Sequence, residues 1–507
     1  MRLFTLLICL CLVTPVWAQK HQISSKELAS VDAYVQQLMK DWRVVGSSVT
    51  IIHKDKVIFS KGYGYRDLDK KLPVTSRTLF GIASNTKLFT AMGAAILHDE
   101  KKLDLDKPVR NYFPEIRFAT TELDEKLTLR DMLSHRSGVP RWDGVWSGSG
   151  YSLQEIVDRL QYLKPTLGFR EGYLYNNNMY AAAGAVTARV NGTTWSELIR
   201  QRIFEPLEMK HSYFSFEDAA ATGEFASDYF VSLADSTIKT HTKDAHCDCW
   251  APAANIVSSS EDLSHWIIAH LNGGTYNGRR AFSPKALAET IRPNNIASKQ
   301  MVFDEVFYGL YGLGRSSTSY KGHVIVSHGG VISSYRSQIS IAPKDSIGII
   351  VLTNTAQGSS MANAAVYGIY DRLLKLGETP WSQKYQKEYK KGLREAAHEA
   401  DSLRGLQIKG TRPGHDLASY TGKFEHPAYG TMEITLTSEK LHLTFRDRSQ
   451  DLEHFHFDQF WAAQDPEYPI LFNGRLMRLQ FLTNGSGKID RIRTGISTDP
   501  EVEFVRK

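Results

Sequence analysis

Strand-forming sequence sits at both ends of residues 27–376 and helix-forming sequence fills the middle, an order that forces distant segments into one sheet. Residues 47–53 and 56–60 are β-rich runs joined by Lys54 and Asp55, which predicts a hairpin. Strand character returns at residues 324–326, 338–341 and 347–352. Between them, residues 153–266 read mostly as helix and loop. Residues 26–42 carry Leu28, Val31, Tyr34, Val35 and Leu38 at helical spacing, and residues 361–376 form a second apolar-faced helix. Thr128 with Asp131 three residues on is a capping pattern for a short helix. The expectation is an α/β layer with helices on its faces and a helical insertion.

The pattern changes after Gly377. Residues 384–404 read as a charged helical strut. Beyond Gly410, apolar and polar residues alternate in short runs at 432–436, 441–445, 455–457 and 476–481, separated by Gly and Asn turns. Alternation of that kind predicts an antiparallel sheet or small barrel. The expected organisation is residues 1–18, 19–376, 377–409 as helical linker, and 410–507 as a small β domain.

The first segment is a charged start, Met1-Arg2, then an apolar run over residues 3–13, then Val16-Trp17-Ala18. It reads as a secretory signal peptide cleaved after Ala18, so the expected location is exported, periplasmic or secreted. No later stretch is long and apolar enough for a membrane helix. The net charge of +6 is spread without a Lys/Arg block, which excludes an obvious nucleic-acid surface. Of four cysteines, Cys9 and Cys11 fall in the leader. Cys247 and Cys249 with His246 are one ligand short of a zinc site, so no metal and no cofactor is expected.

The chemistry concentrates at Ser84 and Lys87, three residues apart at the head of a small-residue, apolar run to Leu97. Residues at that spacing share a helix face, so an amine can reach the hydroxyl, and apolar neighbours lower its pKa. Ser is also an ordinary helix cap. A second Ser-x-x-Lys, Ser236 and Lys239, has polar, β-branched surroundings and reads as a surface or edge-strand serine. Tyr175 precedes a small-residue run and can act as general base and then acid, as a phenolate beside an ammonium. Asn177 can bond a substrate amide; a plain turn reading stays open for both. His328, Gly329 and Gly330 follow a strand. The glycines permit close backbone approach, and the histidine offers a donor or a pH-dependent charge, or is simply a turn residue.

In that order, Ser84-x-x-Lys87, Tyr175-x-Asn177 and His328-x-Gly330 resemble the motifs of penicillin-recognising serine hydrolases. The branch is that of class C β-lactamases, with DD-peptidases, D-aminopeptidases, esterases and LACTB-type proteases. Residues 127–140 are similar to its "LLxHxSGLP" segment, and residues 252–263 resemble its "AGGLxSTxxDL" segment. The tail resembles the small, in some members lipocalin-like, β domains that follow such catalytic domains. The resemblance implies a β-lactamase/DD-peptidase-like sheet, with Ser84 as acylated nucleophile, Lys87 as its base and Tyr175 as proton shuttle. It further implies Asn177 on the substrate amide, an oxyanion hole from the backbone N–H groups of Ser84 and Val331, and His328-x-Gly330 as the facing strand. His328 departs from the β-lactamases, whose lysine there is a permanent cation that meets the antibiotic's carboxylate. His-x-Gly is the form of the D-aminopeptidase, esterase and protease relatives. The expected function is an exported serine hydrolase working through an acyl-enzyme on amides, peptides or esters. The alternatives are a β-lactamase or DD-carboxypeptidase, or a non-catalytic penicillin-binding-like sensor. Expected partners are a small-molecule or peptide substrate, cell-wall fragments included, with no nucleic acid and no membrane span.

Overall fold

The computed structural model describes residues 23–146, 148–241, 248–298, 303–446, 448–462, 477–496 and 499–507. The expected leader, His246 and Cys247 lie outside them. Cys249 is buried and disulfide-bonded, and its partner is not among the described residues.

The two ends meet as their patterns require. Gly46–His53 pairs on one side with Lys56–Asp67 through the Lys54-Asp55 turn, and on the other with Ile347–Thr353, from Ser47 against Thr353 to His53 against Ile347. The full sheet has nine strands, all antiparallel. From edge to edge they are Asn295–Ser298, Val306–Tyr311, Ser316–Tyr320, His323–Ile332, Tyr335–Ala342, Ile347–Thr353, Gly46–His53, Lys56–Asp67 and Leu72–Pro73. The two strands that join the ends are buried almost throughout, because helices cover both faces. Their alternate residues separate accordingly. Val49, Ile51, Ile349 and Val351 join Val35, Met361 and Ile369 from the helices Ser25–Asp41 and Gly358–Leu373. Ile52, Ile350 and Leu352 join Ile267 of the helix Ser260–Leu271 in the second core.

The helical middle contributes the helices that matter for the site, Thr86–Asp99, Leu129–Leu133 and Asn177–Asn191. Thr128 caps the second of these with Asp131 in a reciprocal capping box, as its spacing predicts. Buried Asp131 also accepts from Arg136 at 2.5 Å and Arg170 at 2.8 Å. One fully desolvated carboxylate with two guanidinium partners thereby fixes the loop that follows. The charged strut begins at Trp381 rather than at residue 384 and runs to Gly405. Its first residue is an anchor, with the Trp381 indole buried and donating to Asp371 Oδ2 at 3.2 Å.

The tail closes into an eight-stranded antiparallel barrel, Gly422–His426 sealing against Val502–Arg506. Inward-facing Phe424, Met432, Ile434, Leu443, Phe460, Phe481 and Phe504 are buried in it, which is how small barrels are filled. The barrel grips residues 142–145 of the helical middle. Arg446 donates to the carbonyls of Gly144 at 2.6 Å and Val145 at 2.8 Å. Asp499 Oδ2 accepts from the Gly144 N–H at 2.7 Å and from the Tyr429 hydroxyl at 2.8 Å. A side chain at position 144 would lie 2.6 Å from Asp499 Oδ2 and 2.7 Å from Ile496 Cγ2, so this close approach needs glycine.

Burial, with the Asp143 carboxylate adding to it, raises the Asp499 pKa to about 7 against the lowering hydrogen bonds from Tyr429 and Gly144. Unfolded, the same group titrates near about 3.9. The folded protein therefore holds this proton where the unfolded chain has lost it. The associated stability is complete below about pH 4 and is lost as pH rises through 7. Asp499→Asn keeps an acceptor oxygen without the charge. We expect it to match the parent in denaturant unfolding near pH 4 and to exceed it by about 1–3 kcal/mol at pH 8. A variant no more stable than the parent at pH 8 would contradict the assignment.

Candidate active site

The segment from Gly81 bends sharply before it becomes helix. Ala83 takes a left-handed φ of 51°, Ala83–Asn85 form a 3-10 turn, and the α-helix runs from Thr86 to Asp99. A non-glycine residue in that region is strained by about 1–3 kcal/mol and persists only where its surroundings hold it. Here they do. The Ile82 N–H donates to Ile256 O at 2.9 Å, the Ile256 N–H to Thr86 Oγ1 at 3.1 Å, and Asn85 Nδ2 to Ser337 Oγ at 2.7 Å. The result presents Ser84 at a partly exposed position while Lys87, one turn on, is fully buried.

Lys87 Nζ lies 3.2 Å from Ser84 Oγ, 2.7 Å from Asn177 Oδ1 and 2.9 Å from the Ala253 carbonyl. Burial, and then the nearby Arg141 charge, push its pKa well below the ordinary lysine range, with Asp143 acting weakly the other way. As a neutral amine, its two N–H groups are taken by the two carbonyl oxygens. The lone pair then faces the serine hydroxyl. That is the arrangement of a base, and burial of the amine creates it.

Tyr175 sits just before the helix Asn177–Asn191, which Asn176 caps by accepting from the Met179 N–H. Asn176 also ties the loop to residues 139–140, donating to Pro140 O at 2.5 Å, while its N–H donates to His135 Nδ1 at 3.1 Å. The Ser84 hydroxyl acts on the Tyr175 hydroxyl and works to lower its pKa. The Tyr175 ring centroid is 4.9 Å from Lys87 Nζ and 5.1 Å from the Arg141 guanidinium carbon. Burial raises its pKa further than Ser84 and Arg141 lower it. A resting phenolate needs the opposite direction, so the residue enters as a protonated phenol.

Asn177 is buried and engaged at both ends, accepting from Lys87 and donating from Nδ2 to Asp143 Oδ1 at 3.1 Å. Its placement in this structure is that of an orienter of Lys87. His328 lies on the facing strand with Nδ1 2.7 Å from Gly329 O and Nε2 3.0 Å from the Tyr311 hydroxyl. Only an N–H can donate to a carbonyl, so Nδ1 carries the proton and Nε2 accepts from Tyr311. Burial, then Lys87, lower its pKa to about 3. The charge that histidine can supply is therefore absent near neutral pH. Gly330 brings the strand onto the nucleophile turn, where a Cβ would stand 2.2 Å from Ile82 O. Val331 follows at the exposed rim. A cavity of about 600 Å³ lined by Arg200, Phe204, Tyr213, Phe214 and Arg279 contains none of these residues.

Three participants were not legible as site residues in the sequence. Asp143 accepts from Asn177, from Trp146 Nε1 at 3.1 Å, and from Arg141. Arg141 lies over Tyr175. His135, with a left-handed φ of 58°, is the buried hub against which Tyr175, Tyr180 and Tyr311 pack at 4.3, 5.1 and 5.0 Å. Of the three, only His135 lies within the family-like segment at residues 127–140; Arg141 and Asp143 follow just beyond its end, and their role appears only when that stretch folds against Asn177. Ser236, by contrast, is exposed on a turn before the strand Ile238–Thr240, with Lys239 paired to Asp235.

Known proteins resemble this chain in sequence and in fold. Residues 31–371 match the family model described as Beta-lactamase, and residues 406–506 match a domain of unknown function, DUF3471. An unguisins hydrolase of Aspergillus campestris is 27% identical over 433 residues, spanning 82% of this chain and 78% of its own length. Protein flp of Staphylococcus aureus is 28% identical over 349 residues, spanning 66% of this chain and 64% of its own. In fold, the chain is similar to the octameric penicillin-binding protein homologue from Pyrococcus abyssi, with TM-score 0.59, 20% identity, and 94% and 100% of the two chains covered. It is also similar to a D-amino acid amidase from Ochrobactrum anthropi, with TM-score 0.55, 24% identity, and 68% and 98% covered. With the family model covering well over half of its length, the chain belongs to the β-lactamase-related serine hydrolase family.

Proposed function

We propose that this protein is a hydrolase of amide or peptide bonds that works through an acyl-enzyme on Ser84. The observation that carries the reading is the buried Lys87 amine held 3.2 Å from Ser84 Oγ by two carbonyl acceptors. Relatives named as a hydrolase and an amidase support the same class.

In the proposed cycle, Ser84 Oγ attacks the substrate carbonyl carbon and its proton passes to Lys87. The carbonyl oxygen becomes an oxyanion at the backbone N–H groups of Ser84 and Val331, each such donor contributing about 3 kcal/mol. When the C–N bond breaks, the Tyr175 phenol gives its proton to the leaving nitrogen and regains one from the Lys87 ammonium. Water, losing a proton along the same route, then cleaves the ester and frees Ser84. Asn177 and Asp143 keep Lys87 aligned throughout. Neutral His328 supplies no cation on the strand where β-lactamases carry the lysine that meets the antibiotic's carboxylate. The leader pattern over residues 1–18 supports action outside the cytoplasm, on peptides or cell-wall fragments.

Ser84→Ala should abolish covalent labelling by a fluorophosphonate, read by intact mass. Lys87→Arg, which keeps a charge but offers no base, should slow labelling about 10²–10⁴-fold. Adduct formation on the Ser84→Ala protein would remove the nucleophile from the mechanism.

Lys87 acts only when deprotonated, so labelling rates should rise with pH as it loses its proton. Because burial and Arg141 lower its pKa, that limb should lie well below the ordinary lysine value of about 10.4. His328 is already neutral above about pH 3. His328→Gln should therefore change the rate without moving the limb, and a displaced limb would reassign the titration.

A further inference from the structure

The cations around the cleft differ in what they have left to offer a substrate. Lys87 is buried and committed to Ser84, Asn177 and Ala253. Arg336 is buried and donates to the carbonyls of Ser333, Tyr335 and Ala356. Arg315 is buried against His270, and His328 is occupied at both ring nitrogens.

Arg141 is different. Its side chain is 45% exposed, and its guanidinium carbon stands 5.1 Å over the Tyr175 ring. Nε is spent on Asp143 Oδ2, while the two terminal NH₂ groups have no partner among the described residues. Asp143 is itself occupied by Asn177 and Trp146, so it orients the guanidinium. The Tyr175 ring beneath adds a cation–π contact that favours this position of the guanidinium. A fixed fork with an open outer edge matches a carboxylate in two parallel hydrogen bonds. Its charge also acts on both Lys87 and Tyr175, which places it beside the reacting groups.

We infer that Arg141 is a carboxylate-binding residue of this cleft, and that the substrates are amides or peptides bearing a free carboxylate close to the scissile bond. This rests on the serine-hydrolase reading above and adds the substrate's charge to it. The anion-reading role lies on the loop after Pro140, not on the strand that carries His328.

Two fluorophosphonates of equal length, one ending in a carboxylate and the other in its methyl amide, test it on the full-length protein. The readout is the ratio of their second-order labelling rates on Ser84. An effect of the substitution on Lys87 alters both rates and cancels in the ratio. The parent should prefer the carboxylate probe by about tenfold or more. Arg141→Gln should bring the ratio to about one, and Arg141→Lys, a point charge without the fork, should lie between. The parent ratio should hold from about pH 6 to pH 9, because a guanidinium does not titrate there. A parent ratio near one, a ratio that falls away across that range, or a ratio unchanged by Arg141→Gln overturns the proposal. Failure of both probes to label the parent instead overturns the nucleophile assignment, and the carboxylate role falls with it.

Discussion

The structure depends on a lysine amine held out of water. Desolvating an ammonium is expensive unless acceptors surround it, and a buried lysine answers by lowering its pKa. Lys87 has two carbonyl acceptors and one serine hydroxyl, supplied by segments near residues 84, 177 and 253. The bend at Ala83 is strained, and the residues around 253 occupy a single short turn of helix, Ala251–Ala254. What holds them is the sheet behind, whose strand His323–Ile332 presses Gly330 against Ile82, and the helices that seat on it. The fold is, in this sense, a device for desolvating one amine beside one alcohol.

The C-terminal barrel belongs to the same device. It touches the catalytic region at residues 142–145, where Arg446 and Asp499 take both the carbonyl and the N–H of Gly144. Asp143, adjacent to that grip, connects directly to Asn177 and so to Lys87. A displaced barrel would release the loop that positions Asn177 and Lys87, so the tail bears on the proposed chemistry through that contact alone.

The period of the pattern made much of this readable. The continuous apolar run Ile349-Ile350-Val351-Leu352 calls for a strand covered on both faces, and the tail's alternation for a sheet with one buried side. Alternation alone left an open sheet and a closed barrel both standing; the barrel is the one that forms, and closure is decided by Gly422–His426 and Val502–Arg506 finding each other across the whole domain. Within the site, Ser84 and Lys87 were legible because a spacing of three through a helical turn sets their distance, although Ser84 sits in the 3-10 turn that precedes the α-helix. Arg141, Asp143 and His135 were not, since their meaning comes from contacts between residues far apart in the chain. Tyr175 was legible as a participant but not in its protonation state, which burial decides, and burial is a property of the folded surroundings.

His328 shows how burial changes a residue's vocation. In open solvent an imidazole would titrate near neutrality and could greet an anion. In this cleft, Gly329 O and the Tyr311 hydroxyl consume both nitrogens and desolvation keeps the ring neutral, so it serves as a polar strut between two elements. The positive charge that a substrate meets must then come from a side chain that keeps its solvent and its charge together. Guanidinium satisfies both conditions, being weakly hydrated and permanently charged. Arg141 is placed on the loop the barrel grips, so charge selection and base alignment share one support. Moving that loop would disturb both at once, which explains why the joint is made through the backbone of Gly144, where no side chain can hold the two domains apart.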